Sequence, residues 1–395
     1  MKICIGVFFG GKSVEHEISV ISALQAIESI DKDKYDIMPI YITKANEFFI
    51  GDGIDDINAY KDIPSLLKRS QRVILVNDGK RVALLKYPTK LINSIAAYID
   101  IAFPIVHGTN VEDGTLQGYL KMNNLPMVGC DVVASAIGMD KYIMKAVLRE
   151  NNVSVLDCRR YLSEVFQTNE ESVVNDIESV FSYPVIVKPA NLGSSIGISV
   201  ARNKESLLES MSNAFLYSRT VLIERAIQNL QEVNCAVLGD EYEAEASECE
   251  EPLNGEEILS YENKYIGGGK GFKSGSSKGM VTLSRRIPAN ISEAERIIIR
   301  QMAVTAFKSL GCNGVVRIDF MIDRDTNEIY LNEVNTIPGS LAFYLWEPVG
   351  ISYKELLSRM IELGLRRKRL DEDINYSFDT NILSNVSFGG IKGSM

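Results

Sequence analysis

Val315-Val-Arg317-Ile-Asp319-Phe-Met-Ile-Asp323 and Glu328-Ile-Tyr-Leu-Asn332-Glu333-Val-Asn335 flank a polar turn at Asp325-Thr326-Asn327 and read as one long β-hairpin. With that turn, Arg317 faces Asn335 and Asp319 faces Glu333. Directly opposed residues of an antiparallel pair project to the same face. The alternate positions Val316, Ile318, Phe320, Ile322 and Val334 are apolar and face a core. One face therefore gathers two carboxylates, a carboxamide and a guanidinium. Oxygen donors of this kind suit Mg²⁺, which keeps waters and bridges to nucleotide phosphates. A divalent cation also relieves the repulsion of an opposed Asp/Glu pair. The competing reading is a solvated face with incidental charges. The sequel Thr336-Ile337-Pro338-Gly339-Ser340 is a tight turn leaving the same edge.

The 395 residues suggest two or three domains at roughly 150 residues each. The chain opens as a βαβ unit: strand Ile3–Phe9, helix Ser19–Ile30, strand Asp36–Thr43. Residues 44–98 read as an insertion with a hairpin, Arg72–Val76 and Arg81–Leu85, around Asn77-Asp78-Gly79-Lys80. A buried strand Ile99–Val106, a helix Thr115–Met122 and a short strand Pro126–Val128 follow. The pattern predicts an N-terminal parallel-sheet α/β domain over 1–138, a small α+β domain over 139–223, a third domain over 224–370 and a tail over 371–395. In the second, a helix Lys141–Asn151 precedes strands Pro184–Lys188, Gly197–Ala201 and Thr220–Glu224. In the third, strands Glu232–Leu238 and Glu243–Ser247 precede a helix Ser292–Leu310 and the hairpin.

Composition narrows the function classes. Net charge is −10, which argues against a general nucleic-acid surface, so any polyanion is held by a few gathered Lys and Arg. No apolar run approaches the roughly 18 residues of a membrane span. Six scattered cysteines and two histidines offer neither a disulfide framework nor a Cys/His zinc site. The apolar run Ile3–Phe9 is too short for a secretory signal and enters a glycine turn without a cleavage site. The expectation is a cytoplasmic protein.

Three glycine-rich segments bear on chemistry. Gly6-Val-Phe-Phe-Gly10-Gly11-Lys12-Ser13 formally satisfies a P-loop pattern, but Val-Phe-Phe continues a strand and cannot form the phosphate-cradling turn. Pro184-Val-Ile-Val-Lys188, followed by Gly193-Ser194-Ser195-Ile-Gly197, is strand–loop–strand. It is either an ordinary hairpin loop or a cover for phosphates with Lys188 as a point charge. Lys264-Tyr265 leads into residues 267–279, with six glycines and three lysines. That segment is an inert flexible loop or, beside a magnesium–phosphate site, a lid that orders on ligand binding.

In this order the segments resemble the D-alanine–D-alanine ligase family of ATP-grasp enzymes, from Ile3 to about Leu365. The most specific pieces are Gly10-Gly-Lys-Ser-Val-Glu15-His-Glu-Ile-Ser19, His107-Gly, Glu112-Asp-Gly-Thr-Leu-Gln-Gly118, Met139-Asp-Lys141, Arg317-Ile-Asp319 and Glu333-Val-Asn335-Thr-Ile-Pro-Gly339. The resemblance implies a three-domain ATP-grasp architecture that grips ATP between the second and third domains. It implies Lys141, Lys188 and Ser195 at the nucleotide phosphates and Lys264 at the γ-phosphate. Glu224, Arg225, Ala226 and Ile227 would form the adenine hinge, with Glu232 at the ribose. Asp319, Glu333 and Asn335 would hold two Mg²⁺ ions, with Mn²⁺ as an alternative. Glu15, Ser194 and Tyr265 match a hydrogen-bonded trio near the substrates, and Arg317 and the Gly339 N–H suit an oxyanion. His107, Tyr344 and Leu345 complete the substrate set. The implied reaction joins two D-amino acids through an acyl phosphate, D-alanine with D-alanine foremost, for peptidoglycan precursor synthesis. A homodimer is implied, with no nucleic-acid or membrane partner. Lys264-Tyr265 is the form of the dipeptide-forming branch and points to an amino acid as acceptor.

One departure stands out. The family usually continues Pro-Gly-Met-Thr-x-x-Ser-Leu-x-Pro, where Ser and Leu help hold the acceptor carboxylate. Here Gly339-Ser-Leu-Ala-Phe-Tyr344-Leu345-Trp346-Glu347-Pro348 puts Tyr344 at the Ser position. Glu347 is expected outside the pocket or facing an amine. D-Serine or another amino acid as acceptor stays open, as does a nucleotide-binding regulator without turnover, against which the complete Lys/Arg/Asp/Glu/Asn set argues.

Overall fold

The structure, a computed structural model, describes residues 2–79, 81–89, 94–193, 196–253 and 285–377. Its first sheet has seven strands: β1 (Ile3–Gly10), β2 (Tyr35–Ile42), β3 (Phe48–Ile50), β4 (Gln71–Asn77), β5 (Val82–Lys86), β6 (Ile95–Ile99) and β7 (Ile101–Pro104). Their order is β6-β5-β4-β3-β2-β1-β7. β1, β2 and β7 run parallel, as the βαβ reading requires. β3 to β6 add to the same sheet in antiparallel sense, so the insertion widens the sheet rather than standing apart from it. The expected strand Ile99–Val106 is divided at Asp100, with β6 on β5 and β7 on β1. Because β6 and β7 are consecutive yet hold opposite ends of the order, the sheet curls back on itself. Val7, Phe8 and Phe9 are fully buried inside β1, which rules out a P-loop turn there.

The second sheet is antiparallel, of β8 (Cys158–Leu162), β9 (Val185–Pro189), β10 (Ser199–Ala201) and β11 (Thr220–Arg225), in order β10-β9-β11-β8. Helices Glu170–Val180 and Lys204–Phe215 cover it with Val174, Ile177, Leu207 and Met211. The third sheet comprises β12 (Leu230–Gly239), β13 (Ala244–Pro252), β14 (Arg285–Arg286), β15 (Gly314–Asp323) and β16 (Glu328–Asn335), in order β14-β13-β12-β15-β16. Helix Glu293–Ser309 starts at a capping box of Ser292 and Glu295 and packs Ile299, Ala303 and Phe307 on it. Helix Lys141–Glu150 is N-capped by Asp140 and adds Met144 and Leu148 to that third core, not to the second.

Sequence reading missed helix Tyr353–Glu372, whose Leu356, Leu357, Met360 and Ile361 enter the core of the first sheet. Ala236, Leu238 and Val315 of the third sheet join the same core. The two ends of the chain are therefore one packing unit. Among the described residues no helix is long and apolar enough to cross a membrane, and the six cysteines are unbridged.

Leu357 is fully buried in this shared core. Leu357→Ala should cost about 2–5 kcal/mol in denaturant unfolding. Probes on the first sheet and on the C-terminal helix should report one common transition; separate midpoints would show that the two ends fold independently.

Candidate active site

One cavity of about 1110 Å³ lies where the three sheets meet, and its walls include Glu15, His107, Lys188, Glu224, Arg285, Arg317, Asp319, Glu333, Asn335, Gly339 and Tyr344. The hairpin delivers its polar face there. Arg317 pairs with Asn335 and Asp319 with Glu333, as the sequence predicts. The route to that register differs from the expected one. The turn takes four residues, 324 to 327, because Asp323 pairs with Glu328. A bulge at Asn332 then restores the offset between Asp319 and Phe320. The bulge lets Leu331 and Val334 both face the core while Asn332 and Glu333 both face the cavity side.

The register across the whole sheet sets up a transverse rung. Glu250 of β13 is opposite Asn234 of β12, Asn234 is opposite Asp319, and Asp319 is opposite Glu333. At the Asp319–Glu333 end the charges are matched. Arg317 donates to both Asp319 oxygens, from Nε at 2.7 Å and Nη2 at 2.8 Å, and Asn335 Nδ2 donates to Oδ2 at 3.0 Å. Burial acts against the Arg317 charge, and Asp319 more than reverses this, holding the guanidinium firmly protonated. Lys141 Nζ donates to Glu333 Oε1 at 3.2 Å and to the Leu192 carbonyl at 2.6 Å.

Two carboxylates and a carboxamide fit a hard divalent cation chemically. Among the described residues no group of three His, Cys, Asp or Glu gathers around a point. Three such donors are only part of a six-fold shell, which suits a metal that arrives with nucleotide phosphates and keeps water.

Beside this end lies a buried charge cluster. Glu224, one residue before the end of β11, lies between Lys188, with Oε2 at 2.7 Å, and Lys145, with Oε1 at 2.6 Å. Lys188 also donates to Asn332 Oδ1 at 3.0 Å. Burial would raise the Glu224 pKa, but the two ammonium groups reverse it and hold it at about 2. Lys145 is fully buried and was not singled out from sequence, although its place one helical turn after Lys141 was a usable signal. Arg225 reaches across to Asp323 at 2.8 Å and Tyr330 at 3.2 Å, tying β11 to the hairpin. Ala226, Ile227 and Glu232 line the cavity next to it.

The first sheet contributes from the loops after β1 and β7. His107 Nδ1 donates to the Ile337 carbonyl at 2.8 Å, so Nε2 accepts from the Ser22 hydroxyl at 3.0 Å. Ser22 in turn accepts from the Ser340 N–H at 3.0 Å. Burial lowers the His107 pKa to about 4, in keeping with that neutral tautomer. His107 therefore pins the turn carrying Gly339 rather than offering a charge. Glu112 does the same, accepting from the Gly108 N–H at 3.0 Å and the Ile337 N–H at 2.9 Å. Burial, with the Glu15 carboxylate adding to it, pushes its pKa up to about 8. Glu15 is buried at the cavity wall, and its Oε2 lies so close to Gly108, at φ +84°, that a Cβ there would sit 2.9 Å away.

Tyr344 lines the opposite part of the cavity, and its hydroxyl donates to Glu250 Oε1 at 3.2 Å. Leu345 is fully buried in the first core and is not part of the cavity wall, and Glu347 is exposed outside it. Ser194, Ser195, Lys264, Tyr265 and the lid expected at 267–279 lie outside the described residues.

In this cavity two opposed carboxylates meet three buried or half-buried cations between antiparallel sheets, and the fold is of the ATP-grasp class. The family profiles described as D-ala D-ala ligase N-terminus and C-terminus match residues 4–130 and 128–362. A D-alanine–D-alanine ligase of Thermosipho melanesiensis is 41% identical over 379 residues, covering 96% of this chain and 98% of the relative. One of Chloroherpeton thalassium is 41% identical over 368 residues, covering 92% and 96%. Among solved structures, the D-alanine–D-alanine ligase of Coxiella burnetii superposes with a TM-score of 0.77 at 27% identity, covering 94% of this chain and 96% of that one. The VanG D-Ala:D-Ser ligase of Enterococcus faecalis does so with 0.76 at 30%, covering 92% and 100%. The chain belongs to the D-alanine–D-alanine ligase family and is an ATP-dependent ligase.

Glu112 offers a pH test. Its carboxyl ionises near 4.5 when free and at about 8 in the fold. Between those values the folded state holds a proton that the unfolded chain has lost, so stability falls as pH rises through this window. Glu112→Gln should flatten the decline between about pH 5 and pH 8 in thermal unfolding. An unchanged slope would show that Glu112 ionises normally.

Proposed function

We propose that this protein joins two molecules of D-alanine into D-Ala–D-Ala for peptidoglycan precursors. The observation that carries the reading is the Asp319–Glu333 pair with Arg317, Lys141 and Lys188 around one end of the cavity. ATP would lie between the second and third sheets. Its adenine would rest by Glu224, Arg225, Ala226 and Ile227, its ribose at Glu232, and its phosphates at Lys141 and Lys188. Lys264 and Ser195 belong to the same proposal. Asp319, Glu333 and Asn335 would hold two Mg²⁺ ions, which when bound neutralise charge on the transferring phosphoryl group.

Glu15, with Ser194 and Tyr265, would orient the donor D-alanine. A donor carboxylate oxygen attacks the γ-phosphorus and ADP leaves, giving an acyl phosphate. The acceptor amine then attacks the acyl carbon, and phosphate departs from the tetrahedral intermediate. Arg317 and the Gly339 N–H are the donors for its oxyanion, each worth a few kcal/mol (about 3) when preorganised. His107 and Glu112 fix the turn that carries Gly339. A second reading, D-serine as acceptor, draws on the Tyr344 hydroxyl in the cavity and on the VanG likeness, though one added hydrogen bond nets only about 1 kcal/mol. The reading extends to a cytoplasmic homodimer; unbridged cysteines suit a reducing compartment.

With D-alanine as the only amino acid, ATP and Mg²⁺ should give ADP, phosphate and D-Ala–D-Ala. Clear ester formation with D-lactate, or no dipeptide, would overturn the assignment. Glu333→Ala should lower turnover by roughly 100-fold or more at saturating ATP and Mg²⁺ while the fold survives. Near-normal turnover in that variant would remove the hairpin from the phosphoryl-transfer site.

A further inference from the structure

The rung Glu250–Asn234–Asp319–Glu333 has two ends, and only one of them is used by the phosphoryl chemistry. Strands lie about 4.8 Å apart, so Glu250 stands about 10 Å from Asp319 along the sheet. Around Glu250 a second polar group is assembled. Asn234 Nδ2 donates to its Oε1 at 2.9 Å, the Tyr344 hydroxyl reaches the same oxygen at 3.2 Å, and Arg285 Nη1 donates to Oε2 at 3.2 Å. The Arg285 guanidinium carbon lies 3.9 Å from the centre of the Tyr344 ring. All four side chains line the same cavity as Arg317 and Gly339.

We propose that Arg285 binds the carboxylate of the second, accepting amino acid and so determines which acceptors are used. The inference rests on the ligase reading above. The acceptor's nitrogen must reach an acyl carbon held at Arg317 and Gly339, and its carboxyl carbon lies only about 2.5 Å from that nitrogen. A carboxylate-binding group must therefore stand within reach beyond Gly339, where Arg285 lines the cavity. Among the described residues, other cations beside the hairpin are paired elsewhere: Lys141 on Glu333, Lys188 on Glu224 and Arg317 on Asp319, with Arg225 on Asp323 near the turn. In β14 the next residue, Arg286, points outward to Glu251 and is half exposed, whereas Arg285 points into the cavity. A guanidinium carries five N–H donors in one plane, enough to keep Glu250 and to hold a carboxylate besides. Glu250 and Tyr344 are then positioning residues that fix the plane of Arg285. This also accounts for a tyrosine where the family usually has serine: its ring supports a carboxylate-binding cation, and its hydroxyl need not reach the substrate.

The competing role is a clamp that fastens the edge strand β14 to the turn carrying Tyr344. Steady-state kinetics of Arg285→Gln and Arg285→Lys separate the two. Binding predicts a rise of about 10- to 100-fold in KM for the second D-alanine in Arg285→Gln, with KM for ATP and for the first D-alanine within about twofold. It also predicts that the preference for D-alanine over D-alaninamide as acceptor collapses, since only the former carries the carboxylate. Arg285→Lys keeps the charge and gives up the planar fork, so it should show an intermediate rise, and it serves if the Gln variant does not fold. If all KM values shift together, or the preference over D-alaninamide persists in either folded variant, Arg285 is a clamp. If the unaltered protein forms no dipeptide from D-alanine, the ligase reading itself fails, and this inference with it.

Discussion

Asp319 and Glu333 face each other directly across β15 and β16, and two carboxylates so placed repel one another unless cations are brought to them. Much of the site can be traced to meeting that requirement. Arg317, two residues before Asp319 on the same face, grips it with two hydrogen bonds. Lys141 reaches Glu333 from the first turn of a helix that Asp140 caps, and its second bond, to the Leu192 carbonyl, brings in the loop after β9. The hairpin, a helix start and a phosphate-side loop are thus held together by one electrostatic demand. Preorganised cations of this kind are also what the proposed phosphoryl transfer calls for.

Two buried glutamates show how environment divides one residue type into opposite roles. Glu224, between Lys145 and Lys188, stays ionised far below neutrality, with its pKa at about 2. Glu112, in a buried pocket near Glu15, is pushed up to about 8 and is protonated at neutral pH. The first is a fixed negative charge that sets the position of Lys188. The second is a neutral bridge that can accept two backbone N–H groups without adding charge beside Glu15.

The Tyr344 side of the cavity depends on backbone shape. Ser340, Leu341 and Ala342 all take left-handed conformations, with φ of 51°, 53° and 50°. Each costs about 1–2 kcal/mol for a residue with a Cβ, so surrounding contacts must hold them. Leu341 and Ala342 are buried in the first core, and Ser340 is bonded to Ser22 and Gln25. This forced turn carries the chain from Gly339 to Tyr344 and places the phenol against Glu250 and Arg285. Strain in the turn is offset by packing from the N-terminal sheet, so the far ends of the chain shape the pocket between them.

How much was legible in sequence follows from the range of the interactions involved. Alternation along Val315–Asn335 determined the hairpin, its buried face and the Asp319–Glu333 opposition, because strand period and pairing are local rules. The ordered motifs determined the family. The insertion and its hairpin were legible, but that its strands extend the first sheet, the split at Asp100 and the bulge at Asn332 were not, since each depends on which distant strand an edge meets. Glu250 and Arg285 carried no local mark of function, and Lys145 only its place one helical turn after Lys141. Lys145 and Glu224 are 79 residues apart in the numbering, and Arg285 and Tyr344 are 59 apart. Sequence determined which residues could make charge pairs and on which face of each strand they stand. Tertiary structure decided which pairs form, because an ion pair and a pKa depend on distance and burial, and those exist only once the three sheets have closed on one another.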